Sequence, residues 1–167
     1  ITEYDSIIFI PKPSSFDEDG YKKGFINSSE NVFRLTSELS YKKFITISST
    51  RVYGNNKSGI FMESDLLSED DFRSKTLVNY ENNQIKNYGK NLIILRLAGL
   101  YQKVSERKSP NYLHRNNAAN IIKFFIENEF TSEEHEIFNC AEDRNDEQGN
   151  ISNSKLKSLG FIFDEYD

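Results

Sequence analysis

The sequence predicts an α/β protein built on an open, incomplete parallel sheet of about four strands, with helices on both faces. Two observations support this prediction. Short apolar runs with little polar alternation, typical of strands buried on both faces, occur at residues 7–10, 44–47 and 92–97. Segments with apolar residues at helical spacing separate these runs, and strands that alternate with helices favour a three-layer parallel sheet with right-handed crossovers.

The predicted elements follow one another in the order β-α-β-α-β-loop-α-β-α. The first strand ends at Pro11, because proline lacks the N–H that a strand ladder needs. Gly89 ends the second helix, since glycine readily adopts the conformation that closes many helices. The remaining boundaries are predicted as helices at 21–39, 72–88, 117–128 and 154–159, a fourth strand at 136–140, and polar loops at 55–71 and 143–153.

The length and the charge limit the classes of protein that the sequence fits. The 167 residues allow one domain with a hydrophobic core, and we expect a single partial domain over 1–167, with its core at 5–142 and a C-terminal segment at 150–167. The net charge of −5 argues against a nucleic-acid partner, because phosphate binding needs a basic field. No apolar run approaches the roughly 20 residues of a membrane helix, and no signal peptide is visible.

Cysteine and histidine usage is sparse. Cys140 is the single cysteine, which excludes an internal disulfide and suits a reducing compartment, so we expect a cytoplasmic location. The two histidines, His114 and His135, show no metal-ligand spacing with each other or with Cys140. We therefore expect no metal site.

Polar residues follow three of the predicted strands, at residues 11–15, 48–54 and 98–102. The carboxyl ends of parallel strands lie along one edge of a sheet, and ligands of such sheets bind beyond that edge. The sequence therefore predicts a ligand site there. The run after the second strand is the most suggestive, because it begins with the hydroxyl residues Ser48, Ser49 and Thr50.

Six segments of the sequence form an ordered set of motifs: FITISSTRVYG, FRSKTL, LIILRLAGLY, NYLHRNNAANII, EIFNCAED and NISNSKLKSLGF. This set is similar to the NAD(P)-dependent epimerase/dehydratase family, the extended short-chain dehydrogenases/reductases, and it most resembles their atypical branch. The resemblance implies a Rossmann-like sheet of strand order 3-2-1-4-5-6-7, of which this chain would supply strands 4 to 7.

The resemblance also implies what the complete family member would use. Its cofactor would be NAD or NADP, and its substrate would be a nucleotide sugar. The chain would correspond to a C-terminal portion that lacks the glycine-rich N-terminal half, and its eight glycines indeed show no G-x-G or G-x-x-G spacing. Without that turn no helix N-terminus meets the pyrophosphate, so the chain alone is not expected to bind the dinucleotide.

The resemblance assigns candidate catalytic residues. Ser49 matches the family hydroxyl that hydrogen-bonds the reacting sugar oxygen, with Thr50 as second choice; the alternative is a hydroxyl that only satisfies a strand end. Lys75 matches the lysine of the family motif Y-x-x-x-K, and the alternative is a solvated helix lysine. Asp71 stands where the motif has tyrosine, and it could act as a base but not as a phenol does.

Further residues are predicted to contact cofactor or substrate. Pro11 and Ala98, at strand ends, join Lys75 as predicted cofactor contacts. Arg96 lies late in a buried strand, where its charge must be paired with a carboxylate of the sheet or with a sugar diphosphate. Asn111 and His114 match the segment that holds the family's substrate lobe, although Asn117 replaces its aspartate. A structural role is the alternative for His114.

Two functions from different classes remain open. The chain is either part of an NAD(P)-dependent epimerase, dehydratase or reductase, or a non-catalytic interaction module that has kept the fold. The second reading follows from the missing glycine-rich turn and the missing tyrosine. It predicts a homodimer, formed through the apolar sheet edge at residues 7–10 or through the helices at 21–39 and 72–88, because an unpaired edge can pair with another chain.

Overall fold

The computed structural model describes residues 3–55, 58–143 and 149–167. Four parallel strands form the main sheet in the order β1-β2-β3-β6. Its members are β1 (Glu3–Phe9), β2 (Ser40–Ser49), β3 (Leu92–Leu97) and β6 (Glu136–Cys140). The predicted α/β class with an incomplete parallel sheet of four strands is confirmed. The bounds of β3 and β6 are also as predicted, and β3 coincides with a compact apolar run.

A second, two-stranded parallel sheet was not predicted. It pairs β4 (Gly99–Tyr101) with β5 (Tyr112–His114). Each strand has only three residues, too few to show a period of two in the sequence. This small sheet places the segment after β3 beside the start of α4 (Arg115–Glu127), next to the carboxyl end of the main sheet.

The first helical segment begins earlier than predicted. It consists of α1 (Glu18–Tyr21), a π-helix (Lys22–Asn27) and α2 (Ser28–Thr36) in succession. The Asp17 side chain caps α1 by accepting the Gly20 N–H at 2.7 Å. Gly24 is required by close packing, because a Cβ there would lie 2.1 Å from the Lys12 carbonyl oxygen.

The later helices agree more closely with the sequence. α3 (Phe72–Tyr88) has the predicted bounds, and Gly89 ends it with a φ of +52°. α5 is shorter than predicted, at Ser154–Ser158. In the predicted loops, residues 56–57 and 144–148 lie outside the described residues; the remainder forms turns, bends and one bridge from Phe61 to Ile151.

Helices cover both faces of the sheet, which gives three layers. On one face α2 and α3 pack against β2 and β3 through an aromatic cluster in which Phe44 and Tyr88 stack at 3.6 Å. On the other face α4 and α5 cover β2, β3 and β6, with a core that includes Ile121, Phe125 and Phe138. No helix in the described ranges is long and apolar enough to cross a membrane.

The C-terminal segment is bound to α4. Asn117 holds Asp164 at both main-chain groups, with its amide donating to the carbonyl at 2.9 Å and its oxygen accepting the N–H at 3.0 Å. The Tyr166 ring stacks on His114 at 3.8 Å. Asn117 therefore replaces the expected aspartate with a group that clamps this chain's own C-terminal segment.

The two edges of the main sheet differ in the hydrogen-bond partners of their outward main-chain groups. At β6, outward main-chain groups are bonded by side chains: Glu63 accepts the Asn139 N–H at 2.8 Å, and Lys155 donates to the Ile137 carbonyl at 2.8 Å. Asn153 donates to the Ala141 carbonyl at 2.8 Å. At β1, no described group other than β2 bonds the main chain.

Candidate functional site

A cavity of about 420 Å³ opens at the carboxyl ends of β2 and β3. The end of β2, the start of α3, the loop before β5 and the last residue of α1 contribute to its walls. This is the edge at which the sequence predicts a ligand site. The lining residues are Tyr21, Ser49, Thr50, Arg51, Gly54, Asn55, Arg73, Gly99, Ser109, Pro110 and Asn150.

The two predicted hydroxyl residues both reach this cavity. Ser49 ends β2 and caps the 3₁₀ turn Thr50–Tyr53, because its Oγ accepts the Arg51 N–H at 3.1 Å. That bond uses an acceptor lone pair and leaves the hydroxyl hydrogen available for a ligand. Thr50 is buried in the first position of the turn. Ser49 thus serves the strand end and faces the cavity at the same time.

Asp71 is held in two local interactions. Its Oδ1 accepts the Ser74 N–H at 2.8 Å as the N-cap of α3, and its Oδ2 binds the Arg51 guanidinium at 2.6 Å. Partial burial alone would raise the pKa of Asp71, but the hydrogen bond from Ser74 and the ion pair with Arg51 outweigh it and lower the pKa to about 2. At neutral pH this carboxylate has no proton to donate.

The predicted cofactor contacts are not among the residues that line the cavity. Lys75 lies on the exposed face of α3, one residue beyond the buried Ser74. Ala98 is buried, and its N–H donates to the Cys140 carbonyl at 2.9 Å. Pro11 is half-buried directly after β1. The geometry brings Ser49 and Thr50 together with Arg51, but it leaves Lys75, Pro11 and Ala98 outside the lining.

Arg96 is enclosed in the core. Only 2% exposed, its guanidinium donates to both Glu81 carboxylate oxygens at 2.7–3.2 Å and to the Tyr53 hydroxyl at 2.8 Å. Ser48 donates to the same Glu81 carboxylate at 2.6 Å. The sequence predicts either a carboxylate or a sugar diphosphate as the partner of Arg96. The structure shows a carboxylate, that of Glu81 in α3. Arg96 is absent from the cavity lining.

Asn111 and His114 also bond within the protein. Asn111 bonds the Asn150 side chain at 2.8 Å and the Asn150 N–H at 2.9 Å, which joins the loop before β5 to the chain before α5. His114 Nδ1 accepts the Asn116 N–H at 3.1 Å, so Nε2 carries the hydrogen donated to the Gln102 carbonyl at 3.0 Å. These two bonds orient the His114 ring as the cap of α4.

Two arginines of the site were missed by the sequence reasoning. Arg51 follows the strand-end hydroxyls directly, and Arg73 lies between Asp71 and Lys75 within the matched motif. The sequence contained a signal for both arginines, because each lies inside a segment that is linked to the predicted ligand site.

The turn after β1 does not fit the pyrophosphate of a dinucleotide. The turn after β1 leads into Asp17, whose carboxylate already accepts the Gly20 N–H in the first turn of α1. A phosphate would meet a negative charge there instead of open N–H donors. We therefore derive no chemical step through NAD or NADP for this chain. No group of three His, Cys, Asp or Glu in the described ranges could hold a metal ion.

Comparison of the sequence with family models and with curated proteins finds no match. Solved structures, in contrast, are similar over most of the chain. A uronate dehydrogenase, in a mutated form, matches with a TM-score of 0.76 at 15% identity, covering 96% of this chain and 59% of its own. A protein from Methylobacillus flagellatus described as an NAD-dependent epimerase/dehydratase has a TM-score of 0.69 at 16% identity, with 87% and 67% covered.

A third similar structure is the UDP-glucuronic acid 4-epimerase from Bacillus cereus in complex with NAD. Its TM-score is 0.64 at 18% identity, covering 78% of this chain and 51% of its own. The chain thus spans between half and two thirds of the length of these structures. The predicted resemblance to NAD-dependent epimerases and dehydratases is confirmed at the level of the fold, which is what identities this low establish.

Proposed function

We propose that the chain carries the sugar-binding part of an NAD(P)-dependent epimerase, dehydratase or reductase acting on a nucleotide sugar. The observation that carries this proposal is the position of Ser49 and Thr50 in a cavity at the carboxyl ends of the central strands, within a fold shared with such enzymes. In this role the Ser49 hydroxyl donates to a sugar oxygen and so fixes the carbon that reacts.

The proposal separates ligand binding from turnover. Proton transfer at neutral pH needs a group that can exchange a proton there, and Asp71 is held ionised by Arg51 and Ser74. Cofactor binding requires residues beyond those described, since the turn after β1 offers no phosphate cradle. We place the protein in the cytoplasm, where its buried free thiol at Cys140 is compatible with a reducing environment.

Titration with NADH or NADPH, UDP-glucose and UDP-glucuronic acid tests the proposal, with ligand fluorescence and melting temperature as readouts. We expect the UDP-sugars to raise the melting temperature and the dinucleotides to leave it unchanged. Ser49→Ala should weaken the sugar effect by about tenfold, the value of a hydrogen bond to a ligand. Ser158→Ala, on the exposed end of α5, serves as a control. Absence of any UDP-sugar effect at millimolar concentration would reject the proposal.

A second candidate function is self-association of the chain, and the unpaired edge of β1 supports it. Its exposed face carries Tyr4, Ile8 and Ile10, which are 39–63% exposed. We propose that a second copy of the chain covers this edge. Antiparallel pairing about Ile7 would set Tyr4 opposite Ile10 and Ser6 opposite Ile8, and would bring no two like charges face to face. The helices at 21–39 and 72–88 are the alternative dimer surface.

A further inference from the structure

Three neutral side chains that line the cavity can donate hydrogen bonds to a ligand: Ser49, Ser109 and Asn150. Ser49 and Ser109 each use an acceptor lone pair internally, because their Oγ atoms accept the N–H of Arg51 at 3.1 Å and of Asn111 at 3.3 Å. The Asn150 side-chain oxygen accepts from the Asn111 amide at 2.8 Å. Each hydroxyl keeps its hydrogen and Asn150 keeps its NH₂ group, so all three residues can donate to a ligand.

Two guanidinium groups add positive charge to the same wall. Arg51 is oriented by Asp71, and its Nε is buried without a hydrogen-bond partner in the described part of the chain. Arg73 lies over the Tyr21 and Phe72 rings at 5.8 and 5.7 Å, and among the described carboxylates it has no ion-pair partner. The nearby acids of α1 are paired with Lys22 and Lys23.

No aspartate or glutamate lines the cavity within the described residues. The lining residues themselves contribute two positive charges, from Arg51 and Arg73. Two carboxylates lie beside the lining: Asp71, paired with Arg51, and Asp70, whose carboxylate would stand 3.1 Å from a Cβ on Gly54. A surface of donors with a positive charge is complementary to an oxyanion, because phosphoryl and carboxylate oxygens only accept hydrogen bonds.

We propose that this cavity binds the oxyanion of a sugar-sized ligand, with Arg73 and Arg51 as its charged contacts and Ser49, Ser109 and Asn150 as neutral donors. Its volume of about 420 Å³ lies within the range of small-molecule sites. The oxyanion is a phosphate ester or a uronate carboxylate. This inference rests on the cavity being the ligand site proposed above, but it requires neither cofactor nor turnover.

Calorimetric titration of the full chain separates the two sources of the oxyanion. The probes are glucose 1-phosphate, glucuronate, inorganic pyrophosphate and, as the neutral control, glucose. We expect at least one anion to bind in the micromolar to millimolar range, glucose not to bind, and affinity to fall as salt is raised. A preference for glucose 1-phosphate identifies a phosphate ester, and a preference for glucuronate identifies a carboxylate.

Three variants test the assigned residues. Arg73→Gln should weaken anion binding about tenfold or more, the value of a hydrogen bond to a charged group. Arg51→Gln combined with Asp71→Asn should do the same without leaving a free carboxylate. Arg34→Gln, on the exposed face of α2, removes the same charge elsewhere and should bind as the wild type does. Melting curves identify any variant that is unfolded.

Results of three kinds would overturn the inference: no anion bound at millimolar concentration, glucose bound as tightly as the anions, or both arginine variants binding as the wild type does. The inference and the proposed function can fail separately. Anion binding by a chain on which UDP-sugars have no effect would keep the site and reject the nucleotide-sugar ligand. UDP-sugar binding that Arg73→Gln leaves unaffected would support the proposed function and reject Arg73 as a contact of the oxyanion.

Discussion

The two edges of the main sheet differ in how their main-chain groups are satisfied. At β6, three side chains from the loop before α3 and from the α5 region bond the outward N–H and carbonyl groups, each at 2.8 Å. At β1, the described residues provide no such bond, and the apolar side chains of Tyr4, Ile8 and Ile10 are exposed. Among the described residues, dedicated side chains close the β6 edge and none closes the β1 edge.

The difference shows which edge can accept another strand. Exposed strand edges are hazards that proteins cover or charge unless they are paired. The closed edge follows this rule with Glu63, Asn153 and Lys155. The outer face of β1 offers instead an apolar row, and its charged residues Glu3 and Asp5 lie at the beginning of the strand. This difference supports the proposal that a second copy of the chain pairs with β1.

The largest effect is expected from breaking the closed edge. Glu63→Ala removes the acceptor of the Asn139 N–H, and Asn153→Ala removes the donor to the Ala141 carbonyl. Each should lower the free energy of unfolding by about 1–3 kcal/mol, because a buried main-chain group loses its partner. Urea denaturation measures the change. Asn82→Ala, on the exposed side of α3, is the control, and equal stability of all three variants would contradict the role given to the caps.

A smaller effect is expected from the ion pair at the same edge. Lys155 binds Glu136 at 2.6 Å while it caps the Ile137 carbonyl. Burial alone would raise the pKa of Glu136, but the hydrogen bond from Lys155 outweighs it and lowers the pKa. A carboxylate with a lowered pKa stabilises the fold above its unfolded pKa of about 4.3, and this contribution is lost as the pH falls further.

Glu136→Gln should therefore cost about 0.5 kcal/mol at neutral pH, a value reduced by the partial exposure of the pair. The loss of stability on acidification from pH 5 to pH 3 should be smaller in the variant than in the wild type. Urea denaturation at several pH values provides the comparison. Identical pH dependence in the two proteins would show that this pair does not contribute.

The smallest effect is expected from the ion pair beside the open edge. Asp5 binds Lys42 at 2.8 Å, and their side chains are 80% and 61% exposed. The hydrogen bond from Lys42 lowers the pKa of Asp5, but solvent screens a pair this exposed. Asp5→Asn should leave the melting temperature unchanged in differential scanning calorimetry. A clear decrease would mean that charged side chains stabilise the β1 edge after all.

Elements set by local patterns could be predicted from the sequence. β3 and α3 have the predicted bounds because an apolar run marks the strand and a helical period marks the helix. The closed edge could not be predicted, since Glu63 caps a group 76 positions later in the chain. The candidate site also has features that local sequence predicts and features that it does not. Ser49 follows from its place at a strand end, whereas the enclosure of Arg96 by Glu81 depends on packing between distant elements.

The oligomeric state of the wild type and of Ile8→Lys tests most directly the claim that β1 is an open, associating edge. Ile8 is 39% exposed, so a lysine there should leave the fold intact while it charges the apolar row. Sedimentation velocity over a micromolar concentration series, with Asp5→Asn as control, gives the masses. We predict a dimer for the wild type and for the control, and a folded monomer for Ile8→Lys. A wild type that stays monomeric, or a dimer that survives the lysine, would contradict the account.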